Sequence, residues 1–81
     1  MPKKRRVGIV GFGEIGKYLL DQILTSENAH MSELAFVWNR SFAKVLTDDR
    51  ILPQQRLEHL DDFAAKGADL IAEVGGGSSR Y

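Results

Sequence analysis

Cysteine is absent from the sequence, proline appears twice and tryptophan once in 81 residues. Without cysteine there is no disulfide framework, no thiolate nucleophile and no thiolate-bound metal. The composition suits a reducing compartment, and the expected location is cytoplasmic. Net charge is missing too: 11 Lys and Arg balance 11 Asp and Glu, so no global field recruits nucleic acid. No apolar run approaches the roughly 18 residues of a membrane span. The run behind the basic start is too short for a signal peptide. Of the two histidines, His30 sits in a polar stretch with no second ligand at metal spacing, and His59 reads as structural. No metal site is expected.

What is present is ordinary globular material, 43% hydrophobic and 27% charged. A domain of this size buries only about 60–65% of its unfolded surface, so each element has to be well placed.

The chain is organised around Val7-Gly8-Ile9-Val10-Gly11-Phe12-Gly13-Glu14-Ile15-Gly16. An apolar, β-branched run enters Gly-x-Gly-x-x-Gly, and an amphipathic run follows at once. That order of strand, glycine turn and helix is the context in which the motif reads as a dinucleotide fingerprint. Gly11 permits the tight turn, Gly13 lets a pyrophosphate approach bare backbone, and Gly16 lets the helix lie against the strand. The pyrophosphate would rest on free N–H groups at the positive end of the helix dipole. The candidate contacts are therefore Gly11, Phe12, Gly13, Glu14, Ile15 and Gly16.

Residues 1–5 form a basic arm, read as solvated. Strand one is expected over residues 6–10 and the first helix over about residues 14–24. Ile15, Leu19 and Ile23, widened by Leu20 and Leu24, would face the sheet. Strand two is Leu34-Ala35-Phe36-Val37-Trp38, ending in Asn39-Arg40. In a dinucleotide fold the residue closing the second strand meets the adenosine ribose, and a nearby Arg accommodates a 2′-phosphate. Asn39 offers hydrogen bonds without a repelling carboxylate, and Arg40 offers a charged partner. The cofactor expected is NADP or NAD: Arg40 favours NADP, whereas the third glycine of the motif is often associated with NAD.

Ser41 is expected to cap a short helix through Leu46, and Asp48 and Asp49 read as solvated turn residues. A weak third strand is expected over residues 55–57. Asp61 or Asp62 would cap a short helix through Lys66, with Gly67 just past its end. Strand four is Leu70-Ile71-Ala72-Glu73-Val74, and residues 75–81 are a Gly/Ser-rich tail. The fold class is α/β: the N-terminal half of a Rossmann-type doubly wound parallel sheet, strand order 3-2-1-4, over residues 6–74. Its crevice lies between strands one and four, where the order reverses.

Gly11-Phe12-Gly13-Glu14-Ile15-Gly16, Phe36-Val37-Trp38-Asn39-Arg40 and Ala68-Asp69-Leu70-Ile71-Ala72-Glu73-Val74 together resemble the N-terminal domain of the aspartate dehydrogenase family. The resemblance covers about residues 6–74. It implies NAD(P)-dependent oxidative deamination of L-aspartate in full-length relatives, which carry a second, catalytic domain and act as oligomers. The tail departs from the family pattern after Val74. The expectation is a truncated chain without the catalytic domain, to which no catalytic residue can be assigned. Two alternatives remain: the opening segment of another NAD(P)-dependent amino-acid or aldehyde dehydrogenase or reductase, and a non-catalytic nucleotide-binding or interaction module. In either case strand four would be an uncovered apolar edge open to self-association.

Overall fold

The computed structural model describes residues 4–25 and 31–74. His30, most of the basic arm and the Gly/Ser-rich tail lie outside the described residues. Strand β1 spans Arg5–Val10, helix α1 Glu14–Leu24, strand β2 Ser32–Trp38, helix α2 Phe42–Leu46 and strand β3 Leu70–Glu73. All three strands run parallel in the order β2-β1-β3. The chain thus steps to one side of β1 through α1 and returns to its other side at β3. The C-terminal ends of β1 and β3 border the crevice that this reversal opens.

β1 is central because it is apolar on both faces, as a strand covered on both sides must be. Val7 and Ile9 join Leu34 and Val37 of β2 beneath Leu20 and Ile23 of α1, with Val45 and Ile51 closing the layer. The opposite face carries a smaller cluster of Ala35, Phe36 and Leu57, against which Val10, Trp38 and Ala68 pack. Gly8 sits in mid-strand because the Phe36 ring occupies the space a Cβ would need. The β1–β2 register shifts by one between Val7 and Gly8, which brings Phe36 opposite that glycine.

α1 has the expected bounds but not the expected phase. Its buried residues are Gly16, Leu20 and Ile23, whereas Ile15 is 64% exposed and Leu24 44% exposed. The cause is Gly16: a Cβ there would collide with the Gly11 carbonyl oxygen. The helix therefore turns its glycine to the strand, and Leu20 and Ile23, at i+4 and i+7, follow it inward. Ile15, one position earlier, is rotated away by about 100°.

Three further expectations change. Residues 55–57 contribute one isolated parallel bridge, Val37 to Arg56, preceded by a 3-10 turn at Pro53–Gln55. Of that run only Leu57 is buried and the pairing stops at one bridge, so among the described residues the sheet has three strands. Ser41 occupies the cap position of α2 but makes no capping hydrogen bond through its side chain. Residues Leu60–Lys66 form a 3-10 helix that starts after His59, with Asp61 and Asp62 in its first turn and Gly67 ending it at φ 68°. None of its residues is buried, so nothing favours the α form by packing.

Two charged groups tie the layers together. The Arg6 guanidinium donates to the carbonyls of Gly67 (3.0 Å) and Lys66 (2.8 Å) and pairs with Glu33 at 2.6 Å. The Arg6 N–H donates to Asp69 at 3.0 Å, and Asp69 N–H returns a bond to the Arg6 carbonyl at 2.7 Å. Arg6 thus sets where β3 begins. Asp48, expected to be solvated, is instead held by Arg50. It accepts from the Arg50 N–H (3.0 Å), Nε (2.9 Å) and Nη2 (2.7 Å). Those side-chain hydrogen bonds, helped by Lys17, hold the Asp48 carboxyl below the usual carboxylate range against the opposing effect of burial. The bonded turn delivers Ile51, 1% exposed, to the core.

Gly16→Ala gains about 1 kcal/mol of helix propensity but forces a methyl against a backbone oxygen, where overpacking costs about 1–3 kcal/mol or more. The expected net result is destabilisation, read as a lower urea midpoint; an unchanged midpoint would show that α1 is free to slide. Because Asp48 titrates lower when folded, its contribution is present above the unfolded carboxylate pKa of about 3.9 and is lost as pH falls through the lowered value. Urea midpoints between pH 3 and pH 7, about one unit apart, should therefore fall less steeply on acidification in Asp48→Asn than in the parent chain.

Candidate functional site

The glycine turn lies at the C-terminal end of the central strand. Gly11 leaves β1 at φ 104°, a conformation that side chains with a Cβ rarely adopt. Its N–H donates to the Trp38 carbonyl at 2.7 Å, which binds the turn to the end of β2. The next N–H, that of Phe12, donates to Asn39 Oδ1 at 2.8 Å. The Phe12 side chain is fully buried in the core, and the Lys17 ammonium lies 6.0 Å from its ring centroid. Of the motif's residues, then, Phe12 anchors the turn and has neither a side chain nor a free N–H to offer a ligand.

Gly13 is the N-cap of α1, extended at φ −92° and ψ −151°, and no side chain caps the helix. A Cβ added at Gly13 would meet open space. The protein itself therefore does not need glycine there for packing; the bare backbone faces an open approach. The first helical N–H groups have no intrahelical acceptor, and they carry the positive end of the dipole. Glu14 and Ile15 in that turn are exposed, so their backbone is not screened by the core. An uncapped helix start beside an open glycine offers backbone donors of the kind that bind phosphate, so the residues present fit a dinucleotide's pyrophosphate.

Asn39 and Arg40 follow β2 immediately, so the topology brings them to the same sheet end as the turn. Asn39 is half-buried and engaged on both sides, through Oδ1 to Phe12 N–H and through Nδ2 to the Ser41 carbonyl at 2.9 Å. Arg40 is exposed, and among the described residues no hydrogen bond or ion pair holds its guanidinium. The structure brings the glycine turn, Asn39 and Arg40 to one sheet end, and sequence reasoning missed the bond from Phe12 N–H to Asn39. A residue with a donor and an acceptor on one short side chain is the signal for a turn-bridging role. On the far side of the crevice, Val74 N–H donates to the Val10 carbonyl at 2.9 Å, extending the β1–β3 pairing past the end of β3.

No group of three or more His, Cys, Asp or Glu side chains is placed to hold a metal ion among the described residues. No helix there is long and apolar enough to cross a membrane. An open groove of about 370 Å³ lies at the other end of the strands, lined by Arg5, Val7, Leu19, Ile23, Leu70 and Ala72 among others.

No protein-family model matches the chain, and no solved structure matches it significantly. An aspartate dehydrogenase domain-containing protein of Xenopus tropicalis is 44% identical over 72 residues, covering 89% of this chain and 25% of the relative. Its namesake from Danio rerio is 45% identical over 74 residues, with the same shares covered. The chain spans about a quarter of the length of these relatives. Over the matched residues, it is similar to the aspartate dehydrogenase domain-containing proteins.

Proposed function

We propose that the chain is the NAD(P)-binding segment of an aspartate-dehydrogenase-like oxidoreductase. The observation that carries the reading is the cradle at Gly13: an uncapped helix start and a glycine with open space around it, set where the strand order reverses. The names of the relatives supply the chemistry of the class. In this reading the N–H groups of Gly13, Glu14 and Ile15 receive the pyrophosphate. The adenosine end lies toward Asn39 and Arg40, and the exposed Ile15 side chain covers one flank of the cofactor. A bound nicotinamide supplies hydride transfer. The substrate proposed for the parent enzymes is L-aspartate, oxidatively deaminated. For these 81 residues the proposal is cofactor binding and not turnover, with the strand order extended to 3-2-1-4 only if residues 55–57 lengthen their single bridge.

Arg40 decides between the two cofactors. Its free guanidinium offers a 2′-phosphate a charge-assisted bond, worth about 1.5–3 kcal/mol. Arg40→Ala should weaken NADP binding about tenfold or more while changing NAD little. Titration calorimetry or fluorescence reads both; equal losses would remove the preference for NADP. Gly13→Ala is the control on the cradle. Since the added methyl meets no protein atom, stability should stay within about 1 kcal/mol, yet both cofactors should lose most of their affinity. A Gly13→Ala chain that binds normally would sink the site.

A second reading is favoured by one observation. Among the described residues β3 pairs only with β1, and Leu70 and Ile71 are 47% and 43% exposed. A short apolar edge with unpaired backbone groups is a template for another strand, and we propose that two copies pair there. Sedimentation should then show a dimer that Ile71→Lys dissociates; a monomer at all concentrations would remove this reading without touching the first.

A further inference from the structure

We infer that Asn39 is a positioning residue of the glycine turn and not a ligand of the cofactor's ribose, an inference that rests on the dinucleotide reading above. Its amide spends both of its chemistries inside the protein: Oδ1 accepts from Phe12 N–H, and Nδ2 donates to the Ser41 carbonyl. One bond at each atom leaves a second Nδ2–H and a second Oδ1 lone pair, but swinging the amide toward a ribose hydroxyl would release the turn. That release is costly, because the Phe12 N–H sits above a fully buried side chain and would be left without an acceptor.

The consequence for the site is a sorting of backbone donors. Gly11 and Phe12 give their N–H groups to consecutive residues at the end of β2, Trp38 and Asn39. With those two directed inward, Gly13 is free to cap α1 with its backbone open to a ligand. Asn39 therefore acts on the anion through Phe12 and the shape of the turn. The residue type follows from the two partners. An aspartate could still accept from Phe12, but it has no donor for Ser41. Its negative charge would also stand beside the anion cradle. An alanine or leucine can make neither bond.

The discriminating probe is inorganic pyrophosphate, which has no ribose. In the ¹⁵N-labelled 81-residue chain, pyrophosphate and ADP should both shift the amides of Gly13, Glu14 and Ile15. In Asn39→Ala, Phe12 amide exchange should accelerate about tenfold or more, and the affinities for pyrophosphate and ADP should fall by the same factor. Asn39→Asp should restore protection of the Phe12 amide. Asn39→Leu, which keeps most of the side-chain volume, carries the same comparison if the alanine variant does not fold. Pyrophosphate binding at the parent level in Asn39→Ala, with ADP alone weakened, would overturn the inference and leave the dinucleotide reading standing. A Phe12 amide that stays protected in Asn39→Ala would overturn it as well. A parent chain that responds to neither ligand would overturn both.

Discussion

Between α1 and β1 there is no room for a methyl group. Gly16 lies against the Gly11 carbonyl, so helix and strand meet backbone to backbone at the one place where the chain turns from one into the other. That contact fixes the rotation of the helix about its axis. With Gly16 inward, Leu20 and Ile23 reach the sheet and complete the larger core. The first turn of the helix then sits over the end of β1 with its N–H groups uncapped. Packing and the geometry of the glycine turn are set by the same close approach, which gives the third glycine a structural role at the turn.

A second constraint acts across the sheet. Two hydrogen bonds, Gly11 to Trp38 and Phe12 to Asn39, fasten the turn to the end of β2. Because β1 and β2 are parallel and share a core, their ends are already level, and these bonds lock the last residues of both into one surface. The buried Phe12 ring acts as the peg beneath it. A turn held in this way is shaped without a ligand, and in the proposed reading this spares a cofactor the ordering cost of a loop that closes on binding.

The elements that could be read from the sequence are those with a strong local signal. β1, α1 and β2 announce themselves by β-branched runs, a glycine turn and a helical period, and the bounds of α1 are as expected. The phase of α1 was not legible in the same way. Ile15, Leu19, Leu20, Ile23 and Leu24 cover so wide an arc that the apolar stripe alone admits more than one facing, and only the glycine contact chooses. Residues 55–57 and 60–66 carry weak propensities and no buried side chains of their own except Leu57, so their form depends on what lies beside them. Asp48 reads as solvated from composition alone, but it forms an Asx-turn, its carboxylate accepting from the N–H and the guanidinium of Arg50 two residues on. At the candidate site the sequence names residues, and the structure shows what two of them hold: Asn39 bridges the turn and Phe12 anchors it. The letter Asn at a strand end says that a donor and an acceptor are present. Whether they face a ligand or the neighbouring turn is a matter of distances.

The two walls of the crevice are held by different forces. On the β2 side the turn rests on fully buried apolar residues, Phe12, Ile9, Phe36 and Val37. On the β3 side Leu70, Ile71 and Glu73 are exposed, and the strand is fixed chiefly by its ladder to β1 and by the Arg6 bonds to Lys66, Gly67 and Asp69 at its entrance. Apolar burial and backbone hydrogen bonds differ in how they fail. An element with little buried surface and solvent-exposed bonds opens at low free energy, while one rooted in the core opens only with the whole domain. The β2 side of the crevice is therefore formed whenever the domain is folded, and the side bordered by β3 is the one that gains most from being covered. Anything that lies over Leu70 and Ile71, whether more chain or a second copy, would complete the weaker wall without altering the stronger.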